Sequence, residues 1–126
     1  MFVSGQVMPQ DVPELARQGV RMIINNRPDG EVPGQPSASA VEAAAAEAGL
    51  DYRHVPMAQL TPEGIEGMRE ALEAAEGPVL AFCAMGTRST YLWALARSQQ
   101  GVDGEQLSAA AEAAGYDLSP IRRFLR

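Results

Sequence analysis

Cys83 is the single cysteine of the chain, and it directly follows the apolar run at residues 78–82. Gly86 stands three positions after it, and Arg88 stands five positions after it. A loop that leaves a buried strand and enters a helix turns successive backbone N–H groups inward, and these groups bind anions. The same groups stabilise a thiolate and lower the pKa of a cysteine. The pattern predicts a reactive cysteine in an anion-binding loop, with an inert buried cysteine as the alternative.

Arg88 is the second predicted catalytic residue, because its planar guanidinium can bind two oxygens of a tetrahedral anion. Gly86 permits the backbone conformation that such a loop requires. The hydroxyls of Thr87 and Ser89 could donate to Cys83 or to a leaving group, although Ser89 could equally cap the following helix. The predicted substrate-binding residues of the loop are Ala84, Met85, Gly86, Thr87 and Ser89.

A second loop, at residues 25–36, is rich in turn formers and contributes four further candidates. Asp29 is the first choice for an acid that protonates a leaving group, with a turn-forming role as the alternative; Glu31 is the second choice. Arg27 is expected either to add positive charge beside the anion and bind substrate, or to be a solvated loop residue. Asn26 is expected to contact the cysteine loop and the substrate, or to cap the strand end.

Helical and strand patterns alternate along the chain, which indicates an α/β fold: a mostly parallel sheet of four to five strands with helices on both faces. The predicted strands are residues 2–8, 20–25, 51–57 and 78–82. The predicted helices are residues 9–18, 40–48 (capped by Ser39 and Glu42), 61–77 (capped by Thr61), 89–100, 104–115 and 119–126. Because the carboxyl ends of parallel strands share one edge, the loops at residues 25–31, 57–61 and 83–88 should converge there.

Length, composition and net charge limit the classes of protein to which this chain can belong. The chain has 126 residues, 46% of them apolar, which fits a single domain over residues 1–126. Its net charge of −6 argues against a nucleic-acid partner and leaves room for a local site that binds a small anionic substrate. One histidine and one cysteine make no metal-ligand set, so no metal or cofactor is expected. We expect a cytoplasmic protein without a membrane partner, and the sequence predicts no oligomeric state.

Three segments together resemble a known family. They are Phe-Val-Ser-Gly-Gln at residues 2–6, Ile-Asn-Asn-Arg-Pro-Asp-Gly-Glu at residues 24–31, and Cys-x-x-Gly-x-Arg-Ser at residues 83–89. This combination is similar to the phosphatase-like domain of beta-lactamase-hydrolase-like proteins, over roughly residues 2–100. The resemblance implies the fold of dual-specificity phosphatases; some relatives in the family are described as sulfurtransferases.

The loop departs from the usual cysteine-phosphatase pattern, His-Cys-x-x-Gly-x-x-Arg-Ser/Thr. Phe82 replaces the histidine, and one residue fewer separates Gly86 from Arg88, a spacing closer to that of rhodanese loops. Relatives often carry Arg-Ser where this chain has Ala84-Met85. Residues 57–61 also lack the aspartate that dual-specificity phosphatases use as a general acid.

Three functions therefore remain open from the sequence. The first is a phosphatase-like hydrolase in which the Cys83 thiolate attacks phosphorus. The second is a rhodanese-like sulfurtransferase that carries a persulfide on Cys83 and needs no leaving-group acid. The third is a non-catalytic module that binds an anion or a protein. The family resemblance places the hydrolase first.

Overall fold

Four parallel strands form one sheet in the computed structural model, which describes residues 1–125. The strands are β1 (Phe2–Ser4), β2 (Met22–Asn25), β3 (Asp51–His54) and β4 (Val79–Phe82), in the order β1-β4-β2-β3. The α-helices are α1 (Val12–Arg17), α2 (Ala38–Glu47), α3 (Pro62–Ala74), α4 (Thr87–Gln99) and α5 (Gly104–Ala113). Short 3-10 segments at Pro9–Asp11 and Ser119–Phe124 complete the chain. This is the parallel α/β fold that the sequence predicts, with four strands.

Successive side chains of the central strands point to opposite faces of the sheet, and both faces are buried. Ile24 and Ala81 belong to one hydrophobic cluster, together with residues of α3 and α4. Ile23 and Phe82 belong to the other, together with Val12 of α1 and residues of α2. Helices therefore cover both faces, as predicted, and β4 lies between β1 and β2 with all its residues buried.

Strands β1 and β3 are shorter than the predicted residues 2–8 and 51–57. Ser4 pairs with Phe82, the last residue of β4, so β1 has no neighbour to pair with beyond that point. On the other side, β3 ends at His54, and beyond it Val55 N and Met57 N still donate to the carbonyls of Asn25 and Asn26. Both strands end where the sheet gives way to the loops of its carboxyl edge.

Two helix starts differ from prediction, and one agrees. Helix α2 begins at residue 38 because Ser37, not Ser39, is its cap, with Ser37 Oγ accepting from Ala40 N at 3.2 Å. Helix α4 begins at Thr87, two residues early, because Gly86 with φ of 89° already turns the chain into it. At α3 the predicted cap is confirmed, since Thr61 Oγ1 accepts from Gly64 N at 3.0 Å.

The C-terminal part of the chain packs on the outer side of α4. Leu95 of α4 forms a cluster with Leu107 of α5 and with Ile121 of the last 3-10 segment. The predicted final helix, residues 119–126, is this 3-10 segment, and Arg126 lies outside the described residues. Between residues 1 and 125, no helix has the length and apolar character that crossing a membrane requires.

Candidate active site

The loop between β4 and α4 encloses the sulfur of Cys83, whose residue is only 1% exposed. Gly86 N donates a hydrogen bond to Cys83 Sγ at 3.1 Å. The cysteine lies at the carboxyl end of the central strand, and the helix that follows begins four residues later. The loop thus brings backbone donors and the N-terminus of a helix onto one sulfur atom, as an anion nest does.

These donors determine the ionisation of the thiol. Burial raises the pKa of Cys83, but the backbone N–H groups of Ser89, Met85 and Gly86, together with the Ser89 hydroxyl, outweigh it and lower that pKa below its ordinary value. Ser89 is fully buried, and apart from this influence on the Cys83 pKa its Oγ has no hydrogen-bond partner among residues 1–125. Cys83 therefore has the surroundings of a thiolate nucleophile.

Arg88 lies in the first turn of α4, where three of its N–H groups have partners. Nη1 donates to Glu31 Oε2 at 2.7 Å and to the Met57 carbonyl at 2.9 Å, and Nη2 donates to Glu31 Oε1 at 2.9 Å. A guanidinium has five N–H groups, so Nε–H and the second Nη2–H remain. These two share one edge of the guanidinium plane, which is the arrangement that binds two oxygens of a tetrahedral anion.

The charge of Arg88 is stabilised from two sides. Hydrogen bonding to Glu31 is the main cause that raises the pKa of Arg88; burial opposes it, and nearby Cys83 adds to the rise. Arg88 is thus fixed by a carboxylate on one edge while its charge acts on the cysteine sulfur.

Glu31 is the carboxylate that the structure brings to the cysteine loop. Its hydrogen bond with Arg88 is the largest influence and, with a smaller contribution from Arg27 against the opposing effect of burial, lowers the pKa of Glu31 to about 2. Arg27 donates from Nε to Glu31 Oε1 at 2.8 Å and from Nη1 to Gln6 Oε1 at 2.9 Å. A carboxyl group with this pKa is ionised at neutral pH, so Glu31 cannot protonate a leaving group. It holds Arg88 instead.

Asp29 lies in a turn with Gly30, as its alternative role predicted, and it also makes a contact outside that turn. Its Oδ1 accepts a hydrogen bond from Ala38 N at 2.7 Å, at the start of α2. Its Oδ2 accepts none from residues 1–125. The predicted role of Asp29 as a proton donor is not tested by this contact and stays a prediction.

Asn26 ties the three loops of the carboxyl edge together. It is fully buried, and its backbone N donates to the Phe82 carbonyl at 2.8 Å. Its carbonyl accepts from Met57 N at 3.0 Å, and its Nδ2 donates to the Val55 carbonyl at 2.9 Å. The predicted convergence of the loops at residues 25–31, 57–61 and 83–88 is confirmed by these bonds and by those of Arg88.

The other predicted substrate-binding residues differ in accessibility. Met85 is 78% exposed at the tip of the loop, Thr87 is exposed and Ala84 is half-buried. Gly86 is buried. Among residues 1–125, no group of three or more His, Cys, Asp or Glu side chains could hold a metal ion.

Sequence reasoning missed two contacts of the loop. Tyr116 Oη donates to the Met85 carbonyl at 3.1 Å from beyond α5. Gly5, just after β1, lies so close to the loop that a Cβ there would be 3.0 Å from the Ala84 carbonyl oxygen. The glycine was visible in the sequence as an interruption of the first strand. The tyrosine gave no local signal, because a contact between positions so distant along the chain depends on the tertiary fold.

A parallel sheet with a cysteine–glycine–arginine loop at the carboxyl end of its central strand is the architecture of the cysteine phosphatases. The model of one family, described as beta-lactamase hydrolase-like protein, phosphatase-like domain, matches residues 1–102. The chain belongs to this family.

Curated relatives agree with that assignment. A beta-lactamase hydrolase-like protein of Agrobacterium fabrum is 37% identical over 128 residues, covering 99% of this chain and 30% of that protein. One from Xylella fastidiosa is 40% identical over 129 residues, covering 100% of this chain and 30% of that protein. The chain thus spans less than a third of the length of these relatives.

Solved structures place the fold among phosphatases. A protein of Neisseria meningitidis described as a candidate phosphatase is 32% identical, with a TM-score of 0.80 over 94% of this chain and 86% of that one. TpbA of P. aeruginosa is 22% identical, with a TM-score of 0.65 over 97% of this chain and 74% of that one. Kinase-associated phosphatase, 16% identical, has a TM-score of 0.72 over 90% of this chain and 70% of that one. These proteins give the sulfurtransferase alternative no support.

Proposed function

We propose that this chain is a cysteine-dependent phosphatase domain that hydrolyses small phosphomonoesters through Cys83. The observation that carries the proposal is the geometry around one sulfur atom: a buried thiol with a lowered pKa receives Gly86 N–H at 3.1 Å. Arg88 adds a free guanidinium edge beside it, held in place by Glu31. A thiolate with anion-binding donors around it suits nucleophilic attack on phosphorus.

In the first step, the Cys83 thiolate attacks the phosphorus atom of the ester. The sulfur–phosphorus bond forms while the phosphorus–oxygen bond to the leaving group breaks, and the leaving oxygen takes up a proton. The loop N–H groups and the two remaining N–H groups of Arg88 bind the equatorial oxygens, where charge is spread in the transition state. Such binding accelerates the reaction because it is stronger in the transition state than in the ground state.

In the second step, water attacks the phosphorus of the phosphocysteine. The proposed acid, Asp29, regains its proton from the water, the sulfur–phosphorus bond breaks, inorganic phosphate leaves with the oxygen of the water, and Cys83 returns as a thiolate. The same donors serve both steps, since the phosphoryl oxygens occupy the same nest throughout.

Asp29 is the proposed acid for the leaving group. The loop at residues 57–61 has no carboxylate, and both oxygens of Glu31 accept hydrogen bonds from arginine side chains. Only one oxygen of Asp29 is engaged, by Ala38 N, which leaves the other to carry a proton. The role matters most for alkyl phosphates, whose alkoxide leaving groups need protonation, and least for aryl phosphates.

The substrate class is proposed as a small phosphate monoester, with aryl phosphates among the best. TpbA, which shares the fold, has been solved in complex with phosphotyrosine, and a yeast phosphatase of related fold in complex with citrate. Both ligands are small anions. This chain offers the same kind of positive site through Arg88 and the nest, although its net charge is −6.

The test is a hydrolysis assay with p-nitrophenyl phosphate. Cys83→Ser should abolish turnover, and Arg88→Lys should lower kcat/KM by about 100-fold, because lysine keeps the charge and loses the planar fork. Arg97→Lys, at the other end of α4, is the matched control and should behave as wild type. Full activity in Cys83→Ser would show that hydrolysis does not use this thiol.

A further inference from the structure

Tyr116 reaches the cysteine loop from a part of the chain that the family match does not include. It follows α5, it lies beyond residues 1–102, and its Oη donates to the Met85 carbonyl at 3.1 Å. Its own backbone N donates to the Ala111 carbonyl at 2.8 Å, which fastens it to α5. The phenol is half-buried in the cluster that joins α5 to α4. A rigid element therefore holds the loop from outside.

The carbonyl that Tyr116 binds and the N–H that reaches the sulfur belong to one peptide unit. Met85 contributes the C=O, and Gly86 contributes the N–H that donates to Cys83 Sγ at 3.1 Å. In a planar trans peptide the C=O and N–H bonds point in opposite directions. Holding the oxygen outward, toward Tyr116, therefore holds the hydrogen inward, toward the sulfur. A hydrogen bond at the oxygen also polarises the unit and strengthens its N–H as a donor.

This peptide needs an outside constraint because of the residue that follows it. Gly86 has φ of 89° and no side chain to restrict its rotation, and glycine populates several backbone regions at similar cost. A Cβ on Gly86 would collide with Tyr116 Oη and would lie 3.0 Å from Val3 Cγ1. Tyr116 is thus packed directly against the flexible position, on the side opposite the sulfur.

We propose that Tyr116 is a positioning residue that fixes the peptide between Met85 and Gly86 with its N–H on Cys83 Sγ and so sets the reactivity of the thiolate. The inference relies on the proposed function only for what the thiolate then does; its effect on the cysteine is independent of any substrate. Arg88 is the charged group that interacts with Cys83 directly. Glu31 pairs with Arg88, and Arg27 pairs with Glu31. The variants below leave these groups unchanged.

The test compares Tyr116→Phe with Tyr91→Phe in the full chain. Tyr91 is a tyrosine of α4 in the same apolar cluster, and within residues 1–125 its hydroxyl makes no hydrogen bond to the loop. The rate of alkylation of Cys83 by iodoacetamide is measured against pH. The midpoint should rise by about 0.5 to 1 pH unit in Tyr116→Phe, as expected for the loss of one hydrogen bond's support, and should stay at the wild-type value in Tyr91→Phe.

Thermal unfolding and hydrolysis complete the experiment. Tyr116→Phe keeps the ring, so its Tm should stay close to that of Tyr91→Phe, and kcat/KM for p-nitrophenyl phosphate below the midpoint should fall by about 3- to 10-fold. A folded Tyr116→Phe with the wild-type alkylation midpoint would overturn the proposal. A wild type that shows no hydrolysis, but whose midpoint still rises in Tyr116→Phe, would overturn the phosphatase function and leave the role of Tyr116 standing.

Discussion

Glu31 decides which edge of the Arg88 guanidinium is free. Its carboxylate accepts from both Nη1 and Nη2, and Arg27 holds the same carboxylate from the other side. The edge left over is the one that a phosphoryl group needs. Glu31 is negatively charged, yet its position is compatible with an anion site. Its carboxylate binds one edge of Arg88 and leaves the other edge for the anion.

Glu31→Gln should lower kcat/KM for an aryl phosphate by about 10-fold, because an amide cannot accept from both nitrogens and the guanidinium loses its alignment. Glu66→Gln, which removes a carboxylate that pairs with Arg69 on α3, is the control and should leave the rate unchanged. The measurement is steady-state hydrolysis at neutral pH. Higher activity in Glu31→Gln would mean that the carboxylate competes with the substrate for Arg88.

The pH range of this pairing follows from the sign of the shift. The pKa of Glu31 falls from 4.5 to about 2 in the folded protein. The ionised Glu31 therefore contributes its full stabilisation of the folded protein above its ordinary pKa of 4.5, and this contribution is lost as the pH falls through about 2. Between pH 5 and 8, the pH dependence of activity should show no step from Glu31.

Asp29→Asn tests the leaving-group acid. The amide oxygen can still accept from Ala38 N, so the start of α2 should be preserved while the proton is lost. We expect alkyl phosphates to slow by about 100-fold and p-nitrophenyl phosphate to slow by less than about 3-fold. Asp51→Asn, at the opposite end of the sheet, is the control. Equal effects on both substrates would remove Asp29 from the mechanism.

At this scale the sequence predicted that Cys83 and Arg88 share one loop, and it missed the residues that hold that loop and Arg88 in place. Cys83 and Arg88 are close in sequence, so their spacing within one loop could be interpreted locally. Glu31 and Arg88 are 57 positions apart, and Tyr116 and Met85 are 31 positions apart. Only the packing of the strands and helices brings them together, and no local pattern encodes that.

Among the elements, the turn from β4 into α4 carries the most information. Gly86 has φ of 89° and caps α4, so the helix begins within the predicted loop and places Arg88 in its first turn. The helix N-terminus and the cysteine nest are therefore one continuous structure. The conformation of the glycine is required both by the turn and by the contact with Tyr116.

Gly86→Ala should destabilise the protein more than Gly101→Ala. Both glycines have φ near 90°, at 89° and 94°, so alanine costs about 1 kcal/mol of backbone strain at either position. Only at Gly86 would the new Cβ meet Tyr116 and Val3, which adds roughly 1–3 kcal/mol of overpacking. Urea unfolding measures the difference, and equal losses at the two positions would contradict the described loop geometry.

The order and type of the elements were predictable because each strand and helix has its own residue periodicity and its own Gly, Pro or capping residues at its ends. The exact boundaries of the elements were harder to predict. Ser37 rather than Ser39 caps α2 because the position that captures the first N–H groups depends on where the preceding loop arrives, and Asp29 of that loop takes Ala38 N. The early end of β1 depends on its neighbour β4 rather than on its own residues.

Across the whole molecule, three residues connect the two hydrophobic regions on the α4 side. Leu60, Ile65 and Trp93 pack against both the cluster between the sheet and α3 and the cluster that includes α5. The C-terminal segment that carries Tyr116 is thereby part of the same packed body as the cysteine loop. Chain length predicts a single domain, and unfolding can test that prediction.

The chain should unfold in one transition that coincides for Trp93 fluorescence and far-UV circular dichroism. Leu92→Ala, in the cluster on the sheet, and Leu107→Ala, in the cluster of α5, should each lower the free energy of unfolding by about 2–5 kcal/mol without splitting the transition. Two separate transitions, each shifted by only one of these variants, would show that the C-terminal segment folds independently.

Cys83 should carry a phosphoryl group during turnover, and the decisive experiment is to trap that group. Wild-type protein is mixed with p-nitrophenyl phosphate, quenched with acid within milliseconds and analysed by mass spectrometry, with Cys83→Ser as the control. We expect a phosphate adduct on Cys83 that forms and decays at rates consistent with kcat and is absent from the control. A persulfide on Cys83 after thiosulfate treatment, with sulfur delivered rapidly to cyanide and no phosphate adduct from the ester, would contradict this expectation.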